Sequence, residues 1–180
     1  MLEILSILQT HNKRMNTNLS QIILYKSILD SCHFLLQILQ SEWVVLQLNS
    51  MVKAIQSLEV ALTRWEATPT DQEIRDSVVQ RFEYTYELCH KMLRRQLQEM
   101  SASPTEVVAL DYKSLIREGA KFKLIARPDA WFAYRRQRNL TSHTYDESVA
   151  EEVAKNAIEF LEDARQLLFA LQKIWVIPLS

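Results

Sequence analysis

One glycine, Gly119, stands in 180 residues, where average usage of about 7% would supply roughly a dozen. A dinucleotide-binding G-x-G-x-x-G turn and a phosphate-cradling G-x-x-x-x-G-K-[ST] loop each need several glycines, because their backbones reach positive φ or lie against phosphate. Neither fits in this chain. Sheets with tight hairpin turns also lean on glycine, and only Pro69, Pro104, Pro128 and Pro178 punctuate the rest. The expected fold class is therefore all-α, an antiparallel (up-and-down) helical bundle of four to five helices plus a long N-terminal helix.

The 48% of hydrophobic residues are ample for the core of one domain with an extension. The N-terminal region carries a seam of period 3.5: Ile22, Tyr25, Leu29, Cys32, Leu36, Leu39, Trp43 and Leu46. It needs a partner surface, either another helix of the same bundle or a dimerisation mate, unless the biological start lies at Met51. Residues 1–48 are read as an N-terminal helical extension and 49–177 as the bundle. Within the bundle, Asn49 or Ser50 is expected to cap a helix over Val52 to Glu66, with Ile55, Leu58, Leu62 and Trp65 on one face. Thr70 and Glu73 form a capping-box pattern that opens a helix to about Met100, with Ile74, Val78, Phe82, Tyr86, Cys89, Leu93 and Leu97 as its core stripe. Asp111 caps a short helix through about Leu124. Pro128 suits the first turn of another that carries Trp131 and Tyr134, and Asp146 caps a last long helix to about Trp175.

Net charge is −1, which gives no global pull toward nucleic acid or an anionic membrane. Locally, residues 117–138 carry seven cations against two acids, and residues 146–163 carry seven acids against Lys155. Such neighbours either bind a separate anion or pair with each other. Cys32 and Cys89 sit in apolar helical patterns, the signature of buried reduced thiols. The apolar region Leu19 to Leu48 is broken by Lys26, Asp30, His33 and Glu42 and fails as a membrane span. With no secretory pattern at the start, a cytoplasmic protein is expected, with no membrane partner.

Glu87-Leu-Cys-His90 places a carboxylate and an imidazole on one helical face, as in di-iron bundles, but no other histidine has a glutamate three residues before it. No metal and no cofactor are expected. His90 reads as a core or half-buried histidine, with Glu83 and Glu87 paired to basic neighbours. A serine hydrolase elbow is excluded by the glycine count.

The chemistry concentrates in Arg135-Arg-Gln-Arg-Asn-Leu-Thr-Ser-His-Thr-Tyr145, where Leu140 is nearly alone as an apolar residue. On an unbroken helix Arg138 and His143 would be about 140° apart, so they converge only if the helix ends between Asn139 and Ser142 and the chain turns. The outcome is a small anion site. Arg138, with Arg135 on the same face, can grip a phosphate, Asn139 can donate to an oxygen, and the start of the last helix adds partial positive charge. His143 can move a proton near neutral pH. RNA brings its own nucleophile, the 2′-hydroxyl, so an arginine and a histidine suffice for cleavage without metal. A second histidine, supplied by a homodimer, would complete the acid-base pair.

Arg138-Asn-Leu-Thr-Ser-His143-Thr-Tyr145 resembles the R-x4-H-x-Y motif of the HEPN superfamily. Arg81-Phe-Glu-Tyr-Thr-Tyr-Glu-Leu-Cys-His-Lys91 is similar to the R-F-E-[FY]-T-[FY]-E-L-x-x-K helix of that superfamily's nucleotidyltransferase substrate-binding branch. Trp131 before the first motif and Tyr145-Asp-Glu147 at its end extend the likeness, which covers about Ser50 to Trp175. The resemblance implies a dimerising helical bundle that partners a minimal nucleotidyltransferase, as in HepT-type toxins of toxin-antitoxin pairs. Carried over, it makes Arg138 and His143 the catalytic pair of a metal-independent ribonuclease, Asn139 their polar companion and Tyr145 the adenylylated residue. Arg135 and Arg136 fall to phosphate or RNA binding. The same resemblance admits a non-catalytic subunit that binds nucleotide or substrate for the partner.

Overall fold

The computed structural model describes Lys26, residues 48–143 and residues 146–175. The chain divides into two units, Met1–Val45 and Leu46–Ser180, and the helices described here belong to the second. The seam from Ile22 to Leu46, the extension around it and Cys32 lie outside the described residues.

Among the described residues all regular structure is helical: α1 (48–67), α2 (Gln72–Met100), α3 (Pro104–Ala109), α4 (Tyr112–Lys121), α5 (Pro128–Leu140), a 3-10 turn (Thr141–His143) and α6 (Glu147–Trp175). In α1, Ile55, Leu58, Leu62 and Trp65 are buried as the spacing predicts. Asn49 and Ser50 do not cap it, because both lie inside the helix. Leu48 and Met51 continue the same three-and-four spacing and are buried, so the apolar stripe outweighs the capping tendency of two polar residues. α2 starts one residue later than its capping-box pattern suggests. Asp71, not Thr70, is the cap, and its carboxylate accepts from the Ile74 amide at 3.1 Å. A charged carboxylate at the helix start gains from the helix dipole in addition to the hydrogen bond.

α2 is the central helix and touches α3, α4, α5 and α6. Val78, Phe82, Tyr86, Cys89, Leu93 and Leu97 are buried along one stripe, while Val79 and Met92 are buried to its sides. Cys89 is a free, buried thiol whose ionisation desolvation pushes well up. α2 stops at Met100 with Ser101 as its C-cap, and Pro104 stands in the first turn of the short α3.

The aromatic centre joins three helices around Phe160 of α6. Phe82 meets its ring edge-on at 5.0 Å, Tyr134 at 5.2 Å and Trp131 at 6.0 Å, the offset and edge geometries that ring quadrupoles favour. Fully buried Ala150, Ala154, Ala157 and Ala164 keep α6 thin enough to lie close to its neighbours. α5 runs against α6: Arg127 reaches Asp163 at 2.9 Å, and Gln137 at the other end of α5 donates to Glu152 at 2.8 Å.

α4 ends three residues before the expected Leu124. The Lys123 amide donates to the Ala120 carbonyl at 3.0 Å and the Leu124 amide to the Gly119 carbonyl at 2.8 Å. This is the paired closure of a Schellman motif, with Lys123 in its left-handed position at φ 59°. Sequence reading carried the helix too far because the usual stop signal, a glycine, is absent there.

Candidate functional site

The sequence of α5 sorts its residues onto two sides. Trp131, Tyr134 and Gln137 recur at three-residue steps and are buried, which leaves Arg135, Arg136 and Asn139 exposed and Arg138 half-buried. The helix ends at Leu140. The Thr141 hydroxyl donates to the Arg138 carbonyl at 2.8 Å and the Ser142 hydroxyl to the Asn139 carbonyl at 3.1 Å, so side chains satisfy carbonyls that a longer helix would have used. Asp146 then caps α6 and accepts from the Ser148 amide at 2.9 Å and the Ser148 hydroxyl at 2.6 Å. Those bonds hold its carboxyl below the usual range.

The helix end therefore falls where convergence of Arg138 and His143 requires it. The backbone of His143 lies in the 3-10 turn, while its side chain and Tyr145 lie outside the described residues. Arg138 is held from across the bundle. Its Nε donates to Glu87 Oε1 at 2.6 Å, and its Nη2 lies 3.5 Å from Glu83 Oε1. All three side chains are partly exposed, so the pairs add little stability, but two carboxylates one helical turn apart fix the plane of the guanidinium.

One turn back along α5, Arg135 lies over the Tyr112 ring, 4.6 Å from its centroid. Tyr112 in turn donates its hydroxyl to the Trp131 carbonyl at 2.7 Å and stacks on His90, 5.6 Å away. His90 also stacks on Tyr86 at 6.4 Å. Burial and then the nearby Arg94 cation push the His90 pKa down, so this imidazole is neutral near pH 7. Burial pushes the Tyr86 phenol up, with Tyr112 and Arg135 opposing it. His90 is thus a half-buried packing residue. Among the described residues no group of three or more His, Cys, Asp or Glu side chains is arranged to hold a metal ion, and no helix is long and apolar enough to cross a membrane.

The stretch Arg81 to Lys91 serves the core, the Arg138 contacts and the α1–α2 junction at once. Phe82, Tyr86 and Cys89 build the core, Glu83 and Glu87 hold Arg138, and Arg81 donates from Nε to the Ser57 hydroxyl at 2.9 Å, tying α2 to α1. The neighbouring basic and acidic stretches pair only in part. Arg127 donates to buried Asp163, which also accepts from the Tyr134 hydroxyl at 2.7 Å, and the Asp163 hydrogen bond is the main cause raising the Arg127 pKa. Among the described residues Arg135 and Arg136 have no carboxylate partner. Sequence reasoning did not identify Glu83 and Glu87 as the partners of Arg138 in particular, since 51 positions separate Arg138 from Glu87. Their spacing of four on α2 was the available signal.

A family model described as nucleotidyltransferase substrate binding protein like matches residues 46–173. A probable ribonuclease HepT of Haemophilus influenzae is 40% identical over 95 residues, 53% of this chain, and the match spans 65% of that relative's length, just under two thirds. A solved structure from Haemophilus influenzae, presented as the fold of a substrate binding domain of a nucleotidyltransferase, superposes with a TM-score of 0.67 at 33% identity. It covers 69% of this chain and 98% of its own.

Proposed function

With residues 46–173 matched, the chain belongs to the nucleotidyltransferase substrate binding protein like family, and from that premise we propose that it is the toxin of a toxin-antitoxin pair. In this reading it is a homodimeric, metal-independent endoribonuclease, and a minimal nucleotidyltransferase is its partner. Support comes from the relative named a probable ribonuclease HepT and from the motif Arg138-Asn139-x3-His143-x-Tyr145. The observation that carries the reading is the end of α5 at Leu140, which takes His143 out of the helix of Arg138 and Asn139.

The chemistry runs from groups that RNA and this chain supply. The 2′-oxygen attacks the adjacent phosphorus as His143 takes its proton. The bond to the 5′-oxygen breaks, and that oxygen receives a proton from a second imidazole, the His143 of the other protomer. The products are a 2′,3′-cyclic phosphate and a 5′-hydroxyl. Arg138 stabilises charge on the pentacoordinate phosphorus, Asn139 donates to a phosphate oxygen, and Arg135 and Arg136 hold flanking phosphates. Silencing occurs at Tyr145. Its phenol oxygen attacks the α-phosphorus of ATP on the nucleotidyltransferase, pyrophosphate leaves, and the AMP group gained places an anion two residues from His143 that blocks and repels RNA.

The second reading, a non-catalytic subunit that binds nucleotide or substrate for the partner, is favoured by one observation. Glu83 and Glu87 already engage Arg138 and offset its charge. Expression separates the two. Wild type without the partner should arrest growth and degrade RNA, whereas Arg138→Ala and His143→Ala should be harmless. A harmless wild type that leaves RNA intact supports the second reading. With partner and ATP, intact mass should show added AMP that Tyr145→Phe abolishes, and AMP persisting in that variant would refute Tyr145 as the target.

A further inference from the structure

Beside Arg138, on the α4 side of α5, lies an open cleft of about 530 Å³ lined by Asp111, Tyr112, Lys113, Phe132, Arg135 and Arg136. Its size falls within the range of about 300–1,000 Å³ that small-molecule sites occupy. Its chemistry combines two features. The first is cationic. Lys113, Arg135 and Arg136 have no carboxylate partner among the described residues, while the one acid, Asp111, is spent on capping α4 through the Ser114 amide and hydroxyl at 3.0 and 2.9 Å. The second is aromatic. Phe132 and Tyr112 meet edge to face at 6.3 Å, the Arg117 guanidinium lies 5.9 Å from the Phe132 ring centroid, and the Arg135 guanidinium lies 4.6 Å from the Tyr112 ring centroid, a cation-π pair.

Aromatic rings and guanidinium planes among cations are what a single-stranded nucleic acid needs, because every base has a face to stack and every linkage a phosphate to neutralise. Tyr112 is already fixed through its hydroxyl to Trp131 and its ring to His90, so Arg135 rests on a rigid support. We propose that this cleft is a nucleotide seat, in which a base stacks on Phe132 while Arg135, Arg136 and Lys113 bind the phosphates that flank it. The proposal rests on the reading of the chain as one that handles RNA, and it places a strand entering the Arg138 site along the outer face of α5. The same chemistry would accept a free nucleotide, so the test carries an arm for each source.

The test uses the full chain and a labelled, non-cleavable 2′-O-methyl RNA of about eight nucleotides, within the ~4–16 that such sites cover. Binding is read by fluorescence anisotropy, with AMP as competitor. Phe132→Leu, which keeps apolar volume and loses the ring, should weaken RNA binding by about 5- to 100-fold, and Phe132→Tyr should restore it. Arg136→Gln should weaken binding and lower the slope of log affinity against log salt by about one unit. Competition by AMP that requires Phe132 supports the seat and identifies a free nucleotide as its source. Binding that is equal in wild type and Phe132→Leu, or lost in Phe132→Leu and not restored by Tyr, overturns the proposal, as does a wild type that binds neither probe. Cleavage is scored separately: Phe132-dependent binding by a chain that cuts no RNA leaves the seat standing and removes the nuclease.

Discussion

Lys123 occupies a backbone conformation that L residues avoid, at φ 59°. An L residue there costs roughly 1–2 kcal/mol, part of which glycine returns as chain entropy in the unfolded state. Lys123→Gly should therefore raise the unfolding free energy by about 0.5–1 kcal/mol in urea melts with an unchanged m value, and a decrease would contradict the Schellman closure. Gly119, the single glycine, serves packing instead. A Cβ there would lie 3.0 Å from both Leu93 Cδ1 and Ile125 Cγ1, so α4 approaches α2 at the one position without a side chain. Sequence reading was most accurate where a residue acts on its own neighbours: Asp111 and Asp146 cap, and Pro128 opens α5. It slipped by one residue at Asp71 and by three at Lys121, where competing polar residues or a missing glycine left the local signal weak.

At the scale of elements, apolar spacing specified the buried face of α1 and, from Val78 to Leu97, that of α2, because a stripe at steps of three and four has one solution on a helix. The partner of each stripe was not legible, since it depends on packing between residues far apart in the chain. Phe160 illustrates both. Its place in the last helix was expected, but its role as the shared contact of Phe82, Tyr134 and Trp131 emerges only when α2, α5 and α6 meet. Phe160→Ala should lower stability by about 3–5 kcal/mol, with Phe160→Leu costing less. A loss under about 1 kcal/mol for the alanine variant would show that the three rings do not depend on that contact. The network of Arg127, Tyr134 and Asp163 fixes the start of α5 on α6 in the same neighbourhood. The basic residues farther along α5 are thereby presented from a helix anchored at its buried face.

For the whole molecule, the bundle supplies a rigid α5 whose exposed side carries Arg135, Arg136, Arg138 and Asn139, with Glu83 and Glu87 of α2 orienting Arg138. The helix end was legible from Asp146 as the cap of the next helix and from the turn that Arg138 and His143 need in order to converge. The carboxylates on Arg138 and the aromatic cleft beside Arg135 were not, because the first come from α2 and the second forms only where Tyr112 of α4 meets Phe132 of α5. The proposed dimer would set two such sites together and supply the acid that one His143 lacks. Incubation of purified protein with single-stranded RNA in excess chelator tests whether Arg138 and His143 cut RNA without metal, as proposed. Wild type should generate fragments ending in 2′,3′-cyclic phosphate, with the rate reduced about 10²- to 10³-fold in Arg138→Ala and about 10²- to 10⁴-fold in His143→Ala. Equal cleavage by wild type and both variants, or no cleavage by freshly purified, unadenylylated wild type, would contradict it.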